Sequence, residues 1–190
     1  MAAHDTLFRS PFDLRVASYD GLPHERLLRL AIQRISSLNL TPRKFLYLLN
    51  HYGKSLDTDI MLRHLVSDLP VLNDEGLCKN FSSEMLAFSK ESPELLNDML
   101  RRHAIVHCDG SPPEMIRRIR HRQKHGLLTP IYQSASDGEI SDIVTAQLNQ
   151  AEQLANLLHS EGIPVLRIDM DQPLHVSVRM LQDFIRSHTK

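Results

Sequence analysis

The chain has 190 residues, 42% of them hydrophobic, and its 22 Lys plus Arg against 23 Asp plus Glu leave a formal net charge of -1. That length and apolar content suit one globular domain with a sizeable core. The near-zero charge excludes a global electrostatic pull on nucleic acid or an acidic membrane, so any such role needs a local patch. Two cysteines, Cys78 and Cys108, are too few for a disulfide framework and point to a reducing compartment. The opening Met1-Ala2-Ala3-His4-Asp5 has no apolar core of signal-peptide type, and no apolar run is long enough to span a bilayer. The expectation is a soluble cytoplasmic protein.

In chain order, Phe12, Leu14 and Val16 alternate with Asp13, Arg15 and Ala17, the pattern of a short strand up to Tyr19 that closes in the Asp20-Gly21 turn. Pro23 to Leu38 carries Leu27, Leu28, Leu30, Ala31 and Ile35 at helical spacing. Thr41 before Pro42 is an N-cap with a favoured first-turn proline, opening a helix through Phe45, Leu46, Leu48 and Leu49. A further helix is expected from Asp59 to Asp68, then a strand over Pro70 to Asp74, then helices from Phe81 to Phe88 and from Pro93 to Arg102. A second strand runs from Ala104 to Asp109, and Ser111-Pro112-Pro113-Glu114 reads as a capping box for a helix to Lys124. Gly126 to Gly138 reads as a loop, Glu139 to His159 as a long helix, Gly162 to Asp169 as a third strand and Pro173 to His188 as the closing helix.

Three of these segments share one logic. Pro70-Val71-Leu72-Asn73-Asp74, Ala104-Ile105-Val106-His107-Cys108-Asp109 and Gly162-Ile163-Pro164-Val165-Leu166-Arg167-Ile168-Asp169 are apolar runs that end in a carboxylate and lead into a helix. Continuous apolar runs alternating with helices predict buried parallel strands, with ligand chemistry at their carboxyl ends.

From Leu14 onward the chain resembles the phosphate-loop nucleoside and nucleotide kinases, thymidylate-kinase-like in particular. The resemblance rests on Asn73-Asp74-Glu75-Gly76 at a strand end, on Asp109 followed by Pro113-Glu114-Met115-Ile116-Arg117-Arg118-Ile119-Arg120-His121-Arg122, and on Gly162-Ile163-Pro164-Val165-Leu166 before a closing helix. It implies an α/β fold, a three-layer parallel sheet that is helix-rich and N-terminally incomplete. Residues 1–190 would form one domain, with a helical insertion at about 23–68 and a mobile lid at about 115–138. It further implies ATP and Mg2+, with Asp74 near the magnesium and the phosphoryl acceptor, Glu75 beside it, and Arg118 and Arg122 meeting the transferring phosphoryl and the nucleotide. The acceptor would be a nucleotide or another small molecule.

The chain departs from that family in having no G-x-x-x-x-G-K-[ST] loop. Gly53-Lys54-Ser55 supplies the last three letters, but Leu48 stands where the first glycine is required, so Gly53 is read as ending a helix. A truncated start, a degenerate kinase or a segment supplied by a partner or second copy would each account for this. Asp74, Glu75 and Asp109 also suit helix capping, and the run from Arg117 to Arg122 also suits a solvated basic face. His103 with His107, and His121 with His125, have the spacing of paired metal ligands but no third ligand at a recognisable distance. Two functions follow. One is an ATP-dependent phosphotransferase; the other is a non-catalytic binding protein on the same scaffold, oligomeric through exposed sheet edges. The basic helix has no interleaved aromatic residue, which argues against nucleic acid.

Overall fold

The computed structural model describes residues 19, 21–64, 70–73, 76–126 and 135–188. Among them are helices α1 (Pro23–Ser37), α2 (Pro42–His64), α3 (Leu77–Asn80), α4 (Ser82–Glu91), α5 (Pro93–Leu100), α6 (Pro112–Lys124), α7 (Asp137–Ser160) and α8 (Leu174–His188), and strands β1 (Ile105–Asp109) and β2 (Val165–Asp169). The fold is α/β at this coarse level, mostly helical with a small parallel sheet. The described residues pack as two compact units.

The first unit takes residues up to Arg63 and again from 75 to Met99. His24, Leu27, Leu28, Ala31, Ile32 and Ile35 recur at helical spacing on α1 and are all buried, and α1 packs on α4, which buries Met85 and Phe88. Thr41 caps α2 through its side-chain oxygen, 3.4 Å from the backbone N of Lys44.

Helix α2 does not stop at Gly53 as expected but runs on unbroken to His64. Leu49, Tyr52, Gly53, Leu56 and Asp59 form one buried stripe across that position. A glycine inside a helix costs about 1 kcal/mol relative to alanine, less than the burial of Tyr52 and Leu56 gains. Along the stripe, the Tyr19 hydroxyl lies 2.6 Å from Asp57 Oδ1 and 3.2 Å from the Gly53 carbonyl, and buried His24 and Asp59 meet at 2.7 Å.

The second unit takes residues 64–74 and from Leu100 onward. β1 and β2 are parallel and in register, from Ile105 opposite Val165 to Asp109 opposite Asp169. α7 packs on both strands and on α6, and α8 packs on β2. Ile140, Val144, Leu154, Ala155 and Leu158 are the buried stripe of α7. Gly162, at φ +79°, ends that helix: its N–H reaches the His159 carbonyl, and the N–H of Ile163 reaches that of Leu158. The chain then enters β2.

Three expectations are corrected. The first strand is not formed where it can be seen: residues 70–73 have no regular structure, and Val71 and Leu72 are 54% and 75% exposed. Two apolar residues between a proline and an asparagine are too few to make a buried strand. Ser111 makes no side-chain cap, and the Glu114 carboxylate that would complete the box is held by Arg117 and Arg118. The box forms instead at Ser136 and Glu139, so α7 begins at Asp137. The strand expected at 12–19 lies, but for Tyr19, outside the described residues, as do Asp74, Glu75 and most of the 126–138 loop.

Candidate functional site

Strand geometry places His107 and Asp109 on the same face of β1, and register adds Arg167 opposite His107 and Asp169 opposite Asp109. α7 crosses that sheet and contributes Glu152 and Asn156, one helical turn apart. His107 Nε2 lies 2.7 Å from Asp109 Oδ1 and 3.4 Å from Glu152 Oε2. Arg167 Nη1 donates to Glu152 Oε2 at 2.6 Å and stands 3.9 Å from Asp109 Oδ2, while its Nη2 donates to Asn156 Oδ1 at 2.8 Å. Asn156 Nδ2 closes the ring on Glu152 Oε1 at 3.1 Å.

The His107 side chain is 10% exposed; those of Asp109 and Glu152 are 47% exposed. The imidazole is therefore the buried floor of the cluster and the carboxylates are its open side. The Arg167 guanidinium, bonded to Glu152, holds that carboxyl below the usual carboxylate range, and Glu152 in turn pushes Arg167 up. Both partners are charged at neutral pH. With one guanidinium against two carboxylates, the group keeps an excess of negative charge when the imidazole is neutral.

Asp169 is used differently. Its Oδ1 accepts the backbone N–H of Asp171 at 2.8 Å, an Asx turn that steers the chain from β2 toward α8.

The residues singled out from sequence are distributed as follows. Arg118 and Arg122 both lie on α6, exposed, with Arg118 Nε on Glu114 Oε1 at 2.8 Å. No hydrogen bond or ion pair among the described residues joins either of them to the His107 cluster. Asp74 and Glu75, the expected acceptor and magnesium residues, lie outside the described residues. Gly53-Lys54-Ser55 is helical, so its backbone N–H groups do not form a phosphate cradle. The His121 and His125 rings lie 4.5 Å apart between centroids, tilted by 50°, near the end of α6.

Sequence reading paired His107 with His103; the structure pairs it with Asp109 and Glu152. The i, i+2 spacing of His107 and Asp109 was visible. The contribution of Glu152 depends on which turn of a 24-residue helix crosses the strands, and no local pattern announces that.

Compared with protein-family models, with curated proteins and with solved structures, the chain has no match. No helix among the described residues is long and apolar enough to cross a membrane.

Proposed function

We propose that the chain is a phosphotransferase of nucleoside or nucleotide kinase type, in which the γ-phosphoryl of ATP passes to the hydroxyl or phosphate oxygen of a small acceptor. The observation that carries this reading is the pair of parallel strands whose carboxylates, Asp109 and Asp169, end at one edge, with β1 followed directly by the arginine-bearing α6. The carboxyl edge of parallel strands is where α/β proteins bind their ligands. A helix carrying Arg118 and Arg122 next to it has the charge to meet a phosphoryl group.

In this reading Asp74 orients the acceptor, with Glu75 beside it, and Arg118 and Arg122 neutralise charge that develops on the transferred group. Asp74, which would hold magnesium, lies outside the described residues, and His107, Asp109 and Glu152 do not offer the all-oxygen set that magnesium prefers.

The test is a coupled ATP-consumption assay over nucleosides and nucleotides. Turnover is expected, and Asp74→Ala should abolish it; full activity in that variant would remove the role given to Asp74.

A specific observation favours a second reading. With Gly53-Lys54-Ser55 helical within α2, that segment offers no cradle for a triphosphate. The chain would then be a non-catalytic binding protein, oligomeric through the sheet edges. Calorimetry showing no ATP binding, together with light scattering showing an oligomer, selects it; micromolar ATP binding by a monomer defeats it.

A further inference from the structure

We infer that His107, Asp109 and Glu152 form a binding site for a first-row divalent cation such as zinc, cobalt or manganese. The inference shares Asp109 with the strand edge of the phosphotransferase reading but uses none of Asp74, Glu75, Arg118 and Arg122, so metal binding and phosphoryl transfer are tested separately.

One donor atom from each residue, the imidazole Nε2 and one carboxylate oxygen apiece, converges so that all three lie within 4.8 Å of one another. Ligands bound at about 2.0–2.2 Å from a zinc-sized ion sit about 3–3.4 Å apart. The Nε2 to Glu152 separation of 3.4 Å already meets that span, and the Nε2 to Asp109 separation of 2.7 Å reaches it on losing the hydrogen bond between them. One imidazole with two carboxylates is a mixed nitrogen and oxygen set, which suits first-row transition metals better than magnesium or calcium.

The support around the donors is that of a metal site. His107 is fixed by strand β1 and nine-tenths buried, so its Nε2 has one direction, toward the carboxylates. Asn156 holds Glu152 Oε1 and leaves Oε2 pointing at the imidazole. Hydrogen bonding of a ligating carboxylate by an outer residue is the usual means of aiming it.

Arg167 is the occupant that the cation displaces. Its Nη1 takes the Glu152 oxygen, but its Nη2 is separately anchored on Asn156, and the side chain is 39% exposed. Rotation of the guanidinium toward solvent releases both bonds, to Glu152 and to Asn156, and frees Oε2. The imidazole binds through Nε2 with its remaining proton on Nδ1, and any proton on Nε2 passes to water. Three protein donors leave coordination positions for water or a ligand, on the side where Asp109 and Glu152 are open.

The test is titration of Co2+ alone into the full chain after treatment with chelator, followed by visible absorption and calorimetry. One equivalent is expected to bind, with d–d bands of nitrogen and oxygen ligation. By the scale of outer-shell losses, removing a direct ligand in His107→Ala or in Glu152→Gln should weaken binding by at least about tenfold. His121→Ala, which touches the separate His121–His125 pair, should leave affinity unchanged. If His107→Ala fails to fold, judged by circular dichroism, Glu152→Gln decides, because that side chain is half exposed. A wild-type chain that binds Co2+ no more tightly than Glu152→Gln, or whose binding is lost in His121→Ala, overturns the site.

Discussion

The Glu114 carboxylate is claimed by the basic side chains of its own helix. Its Oε2 accepts from Arg117 Nε at 2.6 Å and its Oε1 from Arg118 Nε at 2.8 Å, and these two guanidinium groups hold its carboxyl down to about 2 from an ordinary 4.5. A depressed folded-state value means that the folded chain binds the proton less readily than the unfolded one, so the stabilising contribution is complete above about pH 4.5 and is lost as pH falls toward 2. Denaturant midpoints measured against pH should therefore place wild type above Glu114→Gln at neutral pH. The two curves should converge as pH approaches 2, and added salt should narrow the gap because the pairs are exposed. A gap that stays constant down to pH 2 would contradict the assignment. Of the two arginines expected at a phosphoryl group, Arg118 and Arg122, Arg118 thus has an intrahelical partner. That competition was legible in the i, i+3 and i, i+4 spacing from Glu114 to Arg117 and Arg118.

Two segments of the chain carry the same capping signature, and only one folds as a box. Ser136 and Glu139 satisfy each other reciprocally, with the Glu139 N–H 3.3 Å from Ser136 Oγ and the Ser136 N–H 2.7 Å from Glu139 Oε2. Ser111 and Glu114 have the same spacing, yet Ser111 makes no side-chain cap. The two segments differ one turn downstream, in what the glutamate carboxylate meets. Glu139 is followed by Ile140, Ser141, Asp142 and Ile143, with no cation to draw it away, whereas Glu114 is followed by two arginines. Ser136→Ala should cost about 1 kcal/mol of stability, the usual worth of an N-cap. Ser111→Ala should leave the urea midpoint within error, and equal losses from both would remove the distinction. The same reasoning explains what was legible among the elements. α1 and α7 have no glycine or proline past their first turns, so their extents were legible to within two residues at each end. In α2, Gly53 looks like punctuation, and only the buried Tyr52 and Leu56 on either side of it decide that the helix continues.

At the scale of the molecule, the alternation of apolar strands with helices was visible, while the division into two cores was not. The reason is physical. The first unit is discontinuous in sequence, closing residues up to Arg63 on residues 75–99, and no local pattern records that return. The strands were recognisable because Ile105 to Asp109 and Val165 to Asp169 are each flanked by helix signals. Their register, which brings His107 beside Arg167, is a tertiary fact. Two separate cores have a thermodynamic consequence, because contiguous cooperative units can open with free energies of their own. Phe88, fully buried in the first unit, and Leu158, fully buried in the second, are suitable probes. Truncation to alanine at such sites costs about 3–5 kcal/mol for phenylalanine and about 2–5 kcal/mol for leucine. In native-state hydrogen exchange, Phe88→Ala should lower the opening free energy of amides on α1 and α4 and leave those of β1, β2 and α7 in place, and Leu158→Ala should do the reverse. A fall of similar size in both sets from either variant would mean that the cores open together, and the two units would then be one cooperative body.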